Sequence, residues 1–157
     1  MTVAAWLVFF AFLFTIFDYS ISQHNNPNQN VATITDGFSK QVVLLRNKYG
    51  HYVANGTVNS QEVAFLLDTG ATDIAIPESL ARQIGLSKGR AITVKTANGN
   101  VKAYRTRLDS VAIGDIVLYD LNATILSNMQ GDEALLGMSF LKHFEITQKG
   151  KNLTIKQ

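Results

Sequence analysis

The chain contains no cysteine. Disulfides, thiol nucleophiles and cysteine-ligated zinc are excluded, although the redox compartment stays open. A dominant charge is lacking too: 14 Lys and Arg against 12 Asp and Glu leave a net charge of +2, too little to argue for a nucleic-acid partner. The only histidines, His24, His51 and His143, show no metal-ligand spacing, and no metal or other cofactor is expected. Phosphate-binding glycine loops and Ser/His/Asp signatures are missing as well. What is present, 157 residues with 46% apolar and 17% charged, suits one modest domain plus an appendage and is not the composition of a disordered chain.

The apolar residues are unevenly placed. Residues 3–17 comprise fourteen apolar side chains and one threonine, with Asp18 the first charge. Crossing a bilayer takes about 20 residues, so this run spans only with its flanks included. It is read as a short retained transmembrane anchor over residues 1–21, outside the folded domain. A cleaved signal peptide is the alternative, with Ser20 and Ser22 as small residues near a cut, but no basic residue precedes the run. Residues 22–39 are polar, Asn-rich and aperiodic, as in a flexible linker. The first cation, Lys40, lies too far on to orient the span. The folded domain is expected over residues 40–157.

Short alternating runs with turn punctuation then predict an all-β domain. Residues 41–46 and 52–58 flank Asn47-Lys48-Tyr49-Gly50 as a hairpin, and Asn59-Ser60 turns into residues 62–67, completing a three-strand meander. Residues 92–96 and 101–108 flank Asn98-Gly99, and Asn-Gly between strand-like runs is the strongest local hairpin signal. Gly114-Asp115 marks a further tight turn, between 108–113 and 116–126, and residues 152–155 form a last strand. Short helices are expected over 78–84, after Pro77 and before Gly85, and over 139–143, after Gly137.

The chemistry-bearing segment is Phe65-Leu66-Leu67-Asp68-Thr69-Gly70-Ala71, an acid at the end of an apolar strand, followed by glycine. A carboxylate there is costly to bury without partners. Alone, Asp-Thr-Gly also fits a turn in which the acid caps the following amides. Its company makes the pattern more specific: the Asn98-Gly99 hairpin, then Leu135-Leu136-Gly137 and a short helix, follow in that order.

On Leu67-Asp68-Thr69-Gly70-Ala71-Thr72, Ile76-Pro77, Ile84-Gly85-Leu86, Thr96-Ala97-Asn98-Gly99 and Leu135-Leu136-Gly137-Met138-Ser139-Phe140-Leu141, the sequence resembles the retropepsin-like aspartic proteases, especially bacterial members with one N-terminal membrane span. The resemblance covers residues 41–155. It implies a closed all-β acid-protease barrel with one or two short helices and one half-site per chain. It also implies a homodimer that brings two copies of Asp68 face to face, a polypeptide substrate, no nucleic acid, and a membrane partner through the N-terminal helix. The corresponding location is the bacterial inner membrane, single-pass, with the domain in the periplasm.

The resemblance assigns catalysis to Asp68, with a water activated between two such carboxylates sharing one proton. Thr69, Gly70 and Ala71 would support the loop, and Leu135, Leu136 and Gly137 would pack beneath it. Thr72, Asp73, Asn98 and Gly99 would contact substrate, the last two as the tip of a flap. Many viral members carry a second acid directly after Asp-Thr-Gly-Ala; here that position is Thr72 and the acid follows at Asp73, which equally fits a pocket residue or a solvated loop charge. Six basic residues and no acidic one lie between Lys88 and Arg107, as expected of a solvated strand face or of a site for acidic partners. A non-catalytic peptide-binding or scaffold module of the same fold is the rival reading.

Overall fold

The structure, a computed structural model, describes residues 2–96 and 99–157, with side chains described at 6–15 and from 24 onward except at 96. The first element is the helix α1, Thr2–Asn25. Among the described residues no helix is long and apolar enough to cross a membrane. The expectations of a transmembrane anchor over residues 1–21 and of a single-pass inner-membrane location are thereby overturned. The reason is length: at 1.5 Å per residue the apolar run 3–17 covers roughly 22 Å, short of a hydrocarbon layer of about 30 Å. The helix then continues through Asp18, Ser20, Ser22, Gln23, His24 and Asn25.

The linker expected over 22–39 is built into the fold instead. Strand β1, Thr33–Asp36, pairs antiparallel with β2, Ser39–Leu45. Asn28 is 6% exposed. Its Nδ2 donates to the carbonyls of Leu45 at 2.9 Å and Val53 at 2.6 Å, and its Oδ1 accepts from Leu45 N at 2.7 Å. One amide side chain thus satisfies backbone groups at the end of β2 and the start of β3, Val53–Val58, which belong to different sheets. An Asn-rich composition read as solvated says nothing of a single asparagine used this way.

Two sheets follow. Strand β4 is Gln61–Leu67, β5 Ile74–Pro77, β6 Ala91–Thr96, β7 Gly99–Ile113, β8 Ile116–Leu126, β9 Glu133–Leu136, β10 Glu145–Lys149 and β11 Asn152–Lys156. One sheet has the order β1-β2-β11-β10; the other runs β3-β4-β9-β5-β8-β7-β6, and an added β3–β7 pairing closes six of its strands into a ring. The expected hairpin of 41–46 with 52–58 does not form, so the meander is lost. Strand β2 pairs with β11 instead, Val42 against Ile155 and Leu44 against Leu153, and all four side chains are buried. The alternation in β2 fixes which face is apolar but not which strand completes it.

The remaining turns follow local chemistry. Strands β3 and β4 join through Asn59 and Ser60, both at positive φ, and β7 and β8 through Gly114 at φ 56°. Helix α2, Glu78–Gln83, follows Pro77, and α3, Met138–Leu141, follows Gly137. The core lies between the sheets: Leu44 and Ile155 from one meet Phe65, Ile76 and Ile125 from the other, with Phe140 of α3, all fully buried. Each such side chain contributes about 1.5–3 kcal/mol on burial.

Candidate active site

Strand β4 carries its apolar run to Leu67 and stops at Asp68, whose backbone N–H donates to Leu136 O at 3.2 Å. The chain then turns tightly. Ala71 N donates to Asp68 O at 3.2 Å, and Gly70 N donates to the Asp68 carboxylate at Oδ1, 2.8 Å away. A Cβ on Gly70 would stand 3.1 Å from that Oδ1, so glycine leaves the oxygen its room. Asp68 is half-buried, and Thr69 and Gly70 are exposed. The carboxylate therefore sits at the surface end of a strand whose Val63 and Phe65 are buried, held by a backbone amide rather than by a cation.

The segment expected to pack beneath this loop does meet it. Strand β9 runs parallel to β4, with Leu135 beside Leu66 and Leu136 beside Leu67. At Gly137 the chain comes so close that a Cβ would lie 2.3 Å from Asp73 O and 2.6 Å from Ala71 O. Beyond it, Met138 N donates to Ala71 O at 2.8 Å and Ser139 N to Thr72 O at 2.9 Å. The Ser139 hydroxyl accepts from Ile74 N at 3.2 Å. Met138 and Ser139 were not singled out from sequence as parts of the site; the Gly-Met-Ser step after an apolar strand is the signal that could have found them.

Asp73 forms a partly exposed ion pair. Arg105 Nη1 donates to its Oδ2 at 2.7 Å, the two side chains being 50% and 32% exposed. Arg105 lies on β7, the strand that begins at the expected flap. In the β6–β7 hairpin Thr96 lies opposite Gly99, which has φ 103° and belongs to β7; Asn98 lies outside the described residues. Under this hairpin a small apolar cluster of Ala75, Ala103 and Leu126, with Ile92, Val94 and Leu135 against it, stands apart from the main core. Three of the six bases in the stretch, Arg105 among them, are ion-paired. Lys88 pairs with Glu78 at 2.7 Å, and Arg107 makes two contacts with Asp120. The Lys88 hydrogen bond, then that of Ser127, holds the Glu78 carboxyl below its ordinary range, and Arg107 does the same for Asp120.

Among the described residues no group of three or more His, Asp or Glu could hold a metal ion. A cavity of about 390 Å³ lies away from Asp68, between residues 29–32 and β3. Another of about 350 Å³, lined by Leu66, Met129 and Leu135, adjoins β4 and β9. Neither is lined by Asp68.

Residues 54–143 match the family model described as "gag-polyprotein putative aspartyl protease". An uncharacterised protein in the cobV 5' region of a Sinorhizobium species is 32% identical, over 93% of this chain and 68% of its own length. An uncharacterised protein of Rickettsia prowazekii (strain Madrid E) is 29% identical, over 97% of this chain and 68% of its own. Among solved structures, a retropepsin-like aspartic protease from Rickettsia conorii superposes with a TM-score of 0.64 at 28% identity, covering 80% of this chain and 94% of that one. EIAV protease complexed with the inhibitor HBY-793 shares the fold at TM-score 0.51 and 17% identity, over 62% of this chain and 90% of its own. By the family match, the fold and the residues gathered around Asp68, this chain belongs to the retropepsin-like aspartic protease family.

Proposed function

We propose that the protein is an aspartic endopeptidase whose active site is completed by a second copy of the chain. The observation that carries this reading is the Asp68 loop: one carboxylate, presented at the surface on a turn braced by Leu136 O and by the Gly137 to Ser139 backbone. It is half of a general acid–base pair, with its substrate-facing side left open.

Two Asp68 carboxylates about 3 Å apart hold one proton between them, because both cannot be charged at that distance. The ionised member takes a proton from a water between them, and that water attacks the scissile carbonyl carbon. The protonated member donates to the carbonyl oxygen; the tetrahedral intermediate then collapses as a proton passes to the leaving nitrogen. Thr69, beside Asp68, supports the loop against its counterpart, and Gly70 lets a peptide lie against backbone. Thr72, Asp73 and the hairpin tip at Asn98 and Gly99 bound the substrate, the hairpin closing over it to exclude water.

The test is peptide hydrolysis by the full chain against Asp68→Asn. A loss of at least about 10²-fold is expected for removal of the acid–base group. Equal rates in the two proteins would leave the peptide-binding module as the reading.

A further inference from the structure

We propose that the cleft between the loop after β2 and the turn joining β10 to β11 binds a phosphate-type oxyanion of several negative charges. A cavity of about 330 Å³ lies there, lined by Arg46, Asn47, Lys48, Gly50 and Lys151. Three of these five residues are cations and none is an acid. The imbalance runs along the chain: residues 37–61 and 146–157 carry Lys40, Arg46, Lys48, Lys149, Lys151 and Lys156 but no Asp or Glu. Among the described residues none of the three lining cations has an ion-pair partner. Clustered cations are treated differently elsewhere in the molecule. Another cavity, of about 370 Å³, is also lined by three, Lys88, Arg105 and Arg107, and there each is paired, with Glu78, Asp73 and Asp120. A sphere of the first cavity's volume is about 9 Å across, close to the Debye length of about 8 Å at physiological salt, so its cations repel one another through incomplete screening. A bound anion relieves that repulsion.

The backbone beneath these cations is braced. Asn47 Oδ1 accepts from Tyr49 N at 3.0 Å and His51 N at 2.9 Å, and its Nδ2 donates to Asn25 O at 2.9 Å. Asn47 N donates to His51 O at 2.8 Å, and Gly50 N, at φ 89°, donates to Asn47 O at 3.1 Å. Arg46 N donates to Lys151 O at 2.9 Å, which sets these two cationic residues side by side across the cleft. A ligand therefore does not have to order the loop as it binds. The lining also selects the ligand class. Arg46 offers a planar fork for two oxygens, while Lys48 and Lys151 act as point charges. A single carboxylate leaves two of the three cations unmet, whereas two or three linked phosphates meet them all. The volume, at the small end of ligand pockets of about 300–1,000 Å³, suits so short a chain. Such a chain occurs free, as pyrophosphate, or on a nucleotide.

The site stands apart from the peptidase reading, so its test uses binding alone: calorimetric titration of the full chain with pyrophosphate, ATP, adenosine and citrate in about 0.15 M KCl. Pyrophosphate should bind, and saturating amounts should raise Tm by a few degrees. Arg46→Gln and Lys151→Gln should each weaken binding at least about tenfold, and Arg46→Lys, which keeps the charge but loses the fork, should fall between. Lys102→Gln, an exposed cation of β7 outside the cleft, should change nothing. The three replaced side chains of the cleft are exposed, and Tm of each variant without ligand checks that it folds. Equal affinity for pyrophosphate and ATP supports a free phosphate chain as the ligand, and tighter binding of ATP supports a nucleotide. Adenosine binding as tightly as ATP, or citrate as tightly as pyrophosphate, overturns the phosphate assignment. No binding of pyrophosphate or ATP, or equal weakening by Lys102→Gln and Arg46→Gln, overturns the site.

Discussion

Arg105 on β7 holds Asp73 at 2.7 Å, tying the strand that leaves the hairpin tip to the turn that follows Asp68. Both side chains are partly exposed, so the pair adds little to stability, about 0–1 kcal/mol. Its consequence is positional. Arg105→Met should lower kcat/KM several-fold while shifting Tm by no more than a few degrees, and Asp73→Asn should do the same. A double-mutant cycle on kcat/KM checks the coupling: additive effects would show that the two residues act separately.

Gly137 is fixed by space rather than by φ. A methyl group there meets two carbonyl oxygens of the Asp68 loop within 2.6 Å, and those atoms are backbone. Gly137→Ala should cost about 1–3 kcal/mol by overpacking and displace the loop. Urea unfolding reads the first effect, and a fall in kcat at temperatures where the variant is fully folded reads the second.

Asn28 stitches the diverging ends of β2 and β3 with three hydrogen bonds. Asn28→Ala strands those buried groups at about 1–3 kcal/mol each before relaxation and water entry. Asn28→Asp should be worse, because a carboxylate would face the two carbonyls that the amide now donates to. Chemical denaturation of both variants tests the order.

The Arg107–Asp120 pair gives a pH prediction. The folded state holds the Asp120 carboxyl below its ordinary 3.8, first through the Arg107 hydrogen bond. The unfolded chain therefore binds more protons between the two values. The stability this pair supplies is complete above the unfolded value and is lost as pH falls through the folded one. Asp120→Asn should lower Tm slightly at neutral pH, as expected for an exposed pair, and flatten the acid limb of Tm against pH below about pH 4. An acid limb identical to that of the natural protein would show that other carboxylates govern it.

Shared catalysis is visible in mixtures. If each site needs both Asp68 residues, coexpressing natural and Asp68→Asn chains in equal amounts should leave about one quarter of the activity per dimer, from random two-fold pairing. One half would indicate that each chain works alone.

The segments around Asp68 were legible in the sequence because each is contiguous. Asp68-Thr69-Gly70 and Leu135-Leu136-Gly137 each occupy a few residues at strand ends, and the Asn98-Gly99 and Gly114-Asp115 turns advertise their hairpins through residues that tolerate positive φ. The ion pair of Asp73 with Arg105 left no such trace. Six basic residues in one stretch do not say which acids, from α2, β8 or the loop after β4, will reach them. Asn28 was hidden for a related reason: an amide in an Asn-rich segment acquires its role only from where two distant strands separate.

The sequence was legible in its local alphabet: several of the runs that become strands, though not β1, β5, β9 or β10, some of their turns, and which acid ends an apolar strand beside glycine, because these depend on neighbours a few residues away. Only the three-dimensional fold settled that β2 joins β11 rather than β3, that residues 28–36 belong to the fold, and that Gly137 closes on the Asp68 loop. Those outcomes turn on which apolar face meets which, and on lengths and close approaches in three dimensions, and a one-dimensional pattern does not encode the identity of the partner.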